Sequence, residues 1–214
     1  MKKIGLILSS SKRSRLYYNK IKNIKNVKIT NIIYYGNKII KFKKEDFQKT
    51  YFFSNRLINP KIARLIKSLK EKNFVISPMP GEIIKDKILL KKKNLIHFHP
   101  GNLPNFKGST VLYYTLLKKK KIFCTGFFLK TKIDEGKILI KKSFIFPKIK
   151  KLKQLDNFDN YIRSETLIDF FKKPKKNIKK IKSKNIGYFI IHPILRSIVI
   201  NKKTSLMIRK ILSD

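Results

Sequence analysis

The chain has 214 residues, 42% of them hydrophobic and 12% aromatic. That is enough apolar material to bury a core, and it excludes a wholly disordered polymer. Its one cysteine, Cys124, excludes a disulfide framework and a cysteine-cluster metal site.

Lysine and arginine total 53 against 12 acidic residues, a formal net charge of +41. Such a balance points to nucleic acid or an anionic surface. The excess is nearly all lysine, however: there are seven arginines, one alanine (Ala63) and no tryptophan. Lys, Ile, Asn, Phe and Tyr share AT-rich codons, so biased nucleotide composition also accounts for the charge. No apolar run approaches the roughly 18 residues of a membrane helix. The apolar run after Lys3 is about five residues, short of the roughly 7–15 of a signal peptide. The reading is a cytoplasmic protein with no membrane span.

Lys2–Leu8 reads as a strand ended by Ser9-Ser10-Ser11, and Leu16–Ile24 as a helix. Val27–Tyr35 reads as a second strand closed by Gly36-Asn37. Asn59-Pro60 opens a helix whose apolar positions Ile62, Leu65, Ile66 and Leu69 recur at three- and four-residue spacing. Phe74–Ser77 is a short strand, Ile83–Leu90 a short helix, and Leu95–His99 a strand stopped by Pro100-Gly101. Ser109 or Thr110 caps a helix through Leu117.

Ile122–Lys130 and Ile138–Ile145 read as strands around a turn at Asp134-Glu135-Gly136. A helix over Asp159–Phe171 follows, then a lysine-dense connector over Lys172–Lys184. Tyr188–Ile200 and Ser205–Ile211 read as a terminal hairpin. Alternating strands and helices followed by a strand-rich part predict an α/β fold. Its sheet would be Rossmann-like and mostly parallel, with an antiparallel edge and helices on its flanks. The expected division is a catalytic domain over 1–147 and a small C-terminal extension over 148–214 that packs on the same core.

The chemistry concentrates in Ile96–Gly108, IHFHPGNLPNFKG. His97 and His99 share one face at strand spacing. They stand at the carboxyl end of a strand, where open α/β sheets place ligand sites. Histidine moves protons near neutral pH, and two of the chain's three histidines lie here. A pair of packed histidines is the plainer alternative. A metal site lacks a third ligand nearby, so no metal is expected. Asp134 lies in KIDEGKIL, where ordinary turn chemistry also favours Asp and Gly. Cys124, in an apolar strand, reads as packing. His192-Pro193 reads as structural or as a contact to an acceptor.

His99-Pro100-Gly101-Asn102-Leu103-Pro104, followed by Phe106-Lys107-Gly108, resembles the HPSLLPxxRG segment of formyltransferases that use 10-formyltetrahydrofolate. Ile133–Leu139 resembles that family's loop reading about LDTGDIL, with Asp134 35 residues after His99. Ser77–Ile84 stands where the family has its GxGxILP loop. The family includes methionyl-tRNA formyltransferase, glycinamide ribonucleotide formyltransferase and sugar-nucleotide N-formyltransferases.

The resemblance implies the formyltransferase fold and transfer of a formyl group from 10-formyltetrahydrofolate to a primary amine, through a tetrahedral intermediate carrying an oxyanion. It implies that His99 stabilises the oxyanion and helps move protons, and that Asp134 orients His99 or holds a relaying water. The family's third catalytic residue, an Asn two before the His, is here His97. A histidine can donate to the formyl oxygen, but it is bulkier and its protonation state then matters. By the same resemblance Met79, Pro80, Gly81, Glu82 and Ile83, with Lys132 and Ile133, line the folate. Ser9, Ser10, Lys12, Gly101 and Asn102 face the acceptor.

The segment after the first strand, Ser9-Ser10-Ser11-Lys12-Arg13, lacks the glycine of the glycinamide ribonucleotide enzymes' phosphate loop. The chain after the core is too short for the further barrel domain of methionyl-tRNA formyltransferase. The expected acceptor is therefore a small-molecule amine on a nucleotide-linked sugar. A charged initiator tRNA is the alternative that the basic charge keeps open. A non-catalytic basic RNA- or ligand-binding protein on the same scaffold is a second. A homodimer through an edge strand is also an expectation.

Overall fold

The computed structural model describes residues 1–37, 49–54, 56–57, 59–118, 121–146, 152–172 and 190–200. The first strand, β1 (Lys2–Ser9), is buried from Ile4 onward. It leads into α1 (Lys12–Lys22), which starts earlier than its apolar pattern suggests because Ser11 caps it, accepting from the Ser14 N–H. β2 (Val27–Tyr35) follows, then a short strand, β3 (Lys49–Phe53), that periodicity did not reveal. α2 (Pro60–Ser68) carries Pro60 in its first turn and Asn59 as its cap.

β4 (Asn73–Ser77) is followed by α3 (Lys87–Lys92). α3 begins at Lys87 and not at Ile83 because Asp86 caps it, accepting from the Leu89 N–H at 2.8 Å. β5 (Asn94–His99), α4 (Val111–Lys118), β6 (Lys121–Phe128), β7 (Ile138–Ile145), α5 (Leu152–Lys172) and α6 (Pro193–Ile200) complete the order.

The sheet runs β3-β2-β1-β4-β5-β6-β7. β1 through β5 pair in parallel, and β6 and β7 are antiparallel. The order reverses at β1, so a crevice opens above the carboxyl ends of β1 and β4. One sheet face packs Leu6, Leu8, Phe98 and Ile96 against Tyr17 and Ile21 of α1, Leu116 of α4 and Ile162 and Phe170 of α5. The other face packs Ile7, Ile33, Ile76 and Leu95 against Ile62 and Ile66 of α2 and Leu89 of α3.

One expectation is corrected. Residues from Pro193 form a helix, not the first strand of a hairpin. Proline has no N–H to give a ladder and its fixed φ suits the first helical turn. The β-branched content that reads as strand is helical at 3–4 spacing, with Leu195 and Val199 packed on the core. Ile191 gives its N–H to Thr110 Oγ1 at 2.9 Å. The expected second strand, Ser205–Ile211, and most of the lysine connector lie outside the described residues. No helix among the described residues is long and apolar enough to cross a membrane.

Candidate active site

β5 sets the site. Strand alternation turns Ile96 and Phe98 toward α1 and α5, and His97 and His99 to the opposite face. There the His97 ring meets Phe127 of β6 edge-on. His99 is buried and lies at the carboxyl end of the strand. Its Nε2 is 2.9 Å from the Phe106 carbonyl, which can only accept, so Nε2 carries the proton. Gly101 makes this possible: a Cβ there would lie 2.6 Å from the Phe106 oxygen and 2.7 Å from His99 Nε2.

Because β6 runs antiparallel to β5, the 129–137 loop starts alongside the lower part of β5 and must fold back to reach His99. It does so at Asp134, which holds a left-handed φ of 49° that Asp tolerates better than most residues. Asp134 Oδ1 lies 3.5 Å from His99 Nδ1, and Oδ2 accepts the Gly108 N–H at 2.7 Å. Next to it, Glu135 pairs with the buried Lys107 ammonium at 2.8 Å. The two loops are thereby joined at adjacent positions. Thr125 of β6 supports the 100–108 loop by donating to the Gly101 carbonyl at 2.6 Å. Lys141 donates to the Leu103 carbonyl, also at 2.6 Å.

Burial holds His99 below its ordinary value; Asp134 opposes that shift and Arg163 adds to it. His97 is held well below, by burial first, then by Arg163, Arg13 and His99, with the Ile76 backbone opposing. Its Nδ1 is buried without a hydrogen-bond partner among the described residues. Both rings are therefore neutral near pH 7. The neutral His99 turns an unprotonated Nδ1 toward Asp134, poised to take a proton and be held as imidazolium by the carboxylate.

The other expected residues divide. Met79 is half-buried, Pro80 and Gly81 are exposed, and Gly81 has a φ of 81° with open space where a Cβ would stand. Ile83, Lys132 and Ile133 are exposed. Glu82 turns inward. Its Oε2 accepts from the Tyr35 hydroxyl at 2.5 Å and the Met79 N–H at 2.8 Å, and its Oε1 from the Leu57 N–H at 2.9 Å. Glu82 thus shapes the loop from within.

Ser10 and Met79 both approach Gly36, whose φ is 121° and where a Cβ would strike Ser10 Oγ and lie 2.8 Å from Met79 Cε. Lys12 is exposed, but Ser9 is buried in a hydroxyl cluster with Ser11 and Ser14. Asn102 is half-buried, and its carbonyl closes the turn to Asn105 and Phe106. Cys124 is fully buried; burial pushes its thiol up to about 12, which leaves packing as its role. No group of metal-ligating residues occurs among the described residues.

Sequence reasoning missed Arg13, Asp159 and Arg163, which reach the back of β5 and the end of β4. The available signal was arginine's rarity in a lysine-dominated chain.

No family model and no curated protein matches the sequence. Solved structures share its fold. Glycinamide ribonucleotide transformylase 1 from Symbiobacterium toebii aligns over 80% of this chain and 86% of its own, with a TM-score of 0.60 and 14% identity. A sugar N-formyltransferase from a Shewanella species aligns over 88% and 76%, with a TM-score of 0.52 and 16% identity. A formyltetrahydrofolate deformylase from Pseudomonas putida aligns over 79% and 63%, with a TM-score of 0.56 and 14% identity. The fold is the Rossmann-like fold of the formyltransferases.

Proposed function

We propose that the protein transfers a formyl group from 10-formyltetrahydrofolate to a primary amine, that of a nucleotide-linked sugar. One observation carries this reading. A neutral, tautomerically fixed His99 faces Asp134 at the carboxyl end of β5, with a second neutral histidine two residues before it. The folate, when bound, supplies an activated formyl carbon. The surroundings fit such a ligand: Ile83 and Ile133 are exposed apolar side chains, and the turn at Gly81 leaves its outer side open.

In this reading His99 Nδ1 takes the proton that the attacking amine releases, directly or through a water. Asp134 stabilises the imidazolium, which then returns the proton to the departing folate nitrogen. His97 takes the place of the family's Asn; to donate to the formyl oxygen as negative charge grows there, its neutral ring must redirect the one proton that it shares with the Ile76 backbone. A neutral ring can do this only with its proton on the nitrogen facing that oxygen.

The sugar N-formyltransferase among the neighbours supports the acceptor class. The formal charge of +41 favours initiator tRNA as a second acceptor. The test is formyl transfer from 10-formyltetrahydrofolate to a panel of nucleotide-linked amino sugars and to charged initiator tRNA, followed by mass spectrometry. Formylation of a sugar that is lost in His99→Gln supports the reading. Transfer to tRNA alone would replace the acceptor. No transfer to any amine would sink the activity.

A further inference from the structure

β4 and β5 pair from Asn73 and Asn94 as far as Val75 and Ile96, so their carboxyl ends are no longer joined by the parallel ladder where the site begins. Three charged side chains span that gap. Arg163 of α5 donates through Nη1 to the Phe98 carbonyl at 2.7 Å and through Nε to Asp159 Oδ1 at 2.9 Å. Asp159 Oδ2 faces Arg13 Nη1 at 3.8 Å. Arg13 of α1 donates through Nη2 to the Pro78 carbonyl at 2.6 Å and through Nε to Ser77 Oγ at 3.3 Å. The side chains of Arg13 and Arg163 are each 12% exposed, and that of Asp159 is 22% exposed.

Two cations and one carboxylate are a costly thing to bury, and an apolar filling of that volume would commonly be as stable. The positions they hold explain their presence. The Phe98 carbonyl belongs to the residue between His97 and His99. The Pro78 carbonyl is where the chain leaves β4 for the Met79–Ile83 loop. We propose that the Arg163–Asp159–Arg13 chain is a positioning element of this site: it fixes the two-histidine strand against the loop that departs from β4.

This element also carries a net positive charge behind both rings. From the other side of the sheet Arg163 and Arg13, together with His99, act on His97, while Arg163 and Asp159 act on His99, which Asp134 of the 129–137 loop faces directly. Arginine suits the task because its planar fork serves a carbonyl and a carboxylate at once while staying charged. Lysine, as a single point donor, keeps the charge and loses the fork.

The inference uses the formyl-transfer reading only for its turnover arm. The first arm is an imidazole NMR titration of Arg163→Gln, Arg163→Lys and Asp159→Asn, with near-ultraviolet circular dichroism as the check on folding. Arg163→Gln moves the His97 and His99 midpoints up, Asp159→Asn moves the His99 midpoint down, and Arg163→Lys keeps both near the parent. Midpoints that stay put in folded Arg163→Gln and Asp159→Asn, or that move in the same direction in both, would overturn the proposal. Should Arg163→Gln not fold, the downward move in Asp159→Asn decides alone.

In the second arm, kcat for Arg163→Gln falls about tenfold at pH 6 and under about threefold at pH 8.5. A kcat equal to the parent's at both pH values would overturn the role. A parent protein that transfers no formyl group, but whose variants shift the midpoints as stated, would sink the activity and leave the positioning element standing.

Discussion

His99 donates a hydrogen bond from its Nε2–H to the Phe106 carbonyl at 2.9 Å. A backbone oxygen therefore decides which nitrogen of the catalytic candidate is free. The other nitrogen, Nδ1, is unprotonated in the neutral ring and faces Asp134 Oδ1 at 3.5 Å. Two acceptors facing each other at that distance are not a resting ion pair. The contact becomes favourable when a proton arrives, so the pair stabilises the charged state of the ring more than the neutral one.

The proposed base role rests on that geometry. His99→Gln keeps a donor for the Phe106 carbonyl and removes the proton acceptor, so kcat falls by about 10²–10⁴. Asp134→Asn removes the charge that holds the imidazolium and lowers kcat in the same direction, while the Gly108 N–H keeps an oxygen acceptor. Single-turnover transfer measures the loss, and calorimetry on the donor separates it from binding. Full activity in His99→Gln would remove His99 from the chemistry.

Acid weakens the fold before carboxylates titrate. Both histidines have folded-state values below the ordinary value of about 6.5. The unfolded chain therefore binds more protons as pH falls below about 6.5. The stability that these rings contribute is fully present above that pH and is lost as pH drops through the folded values. The expected Tm is flat from pH 8 to 7 and falls toward pH 5.5, with a shallower fall in His97→Asn. A Tm that rises on acidification through this window contradicts the sign.

Much of the architecture was legible because local signals agreed with tertiary ones. Val27–Tyr35 is β2 to the residue, and Asn59-Pro60 starts α2 as a cap and a first-turn proline should. His99 and Asp134 were found from two motifs whose meeting requires the 129–137 loop to fold back, which no periodicity shows. β3 was not read because it is a five-residue edge strand with no alternating pattern. Pro193 misled because β-branched runs suit strand and helix alike when packing decides. Glu82 reads as a ligand contact in sequence, yet only the fold brings Tyr35 and Leu57 to its carboxylate. The Arg163–Asp159–Arg13 chain joins residues up to 150 positions apart, beyond any local pattern.

His97 is the departure from the motif that is most open to substitution. His97→Asn places at this strand position the Asn of the formyltransferase motif that the segment resembles, a neutral amide donor. Activity within about tenfold of the parent is expected, with less dependence on pH below 7. His97→Ala removes the donor, and a loss of about 10²–10³ in kcat is expected. Steady-state rates for the three forms between pH 6 and 8.5 give the comparison. An alanine variant as fast as the parent would show that His97 only fills space beside Phe127.

Glu82 tests whether the β4–α3 loop is shaped from inside. Its carboxylate accepts from three donors: the Tyr35 hydroxyl, the Met79 N–H and the Leu57 N–H. Burial and that carboxylate push the Tyr35 phenol far up, so it stays a donor at every accessible pH. Glu82→Ala leaves the Tyr35 hydroxyl and the Leu57 N–H unserved and the Met79 N–H with only the Tyr35 oxygen at 3.3 Å, and a loss of about 1–3 kcal/mol in urea unfolding is expected. Tyr35→Phe removes one donor and leaves the Met79 bond, so its loss is smaller. If the loop holds the donor's ring, both variants raise KM for 10-formyltetrahydrofolate more than they lower kcat, since neither residue reaches the reacting atoms. The reverse pattern, a fall in kcat at constant KM, would move the loop's role from binding the donor to arranging the histidines.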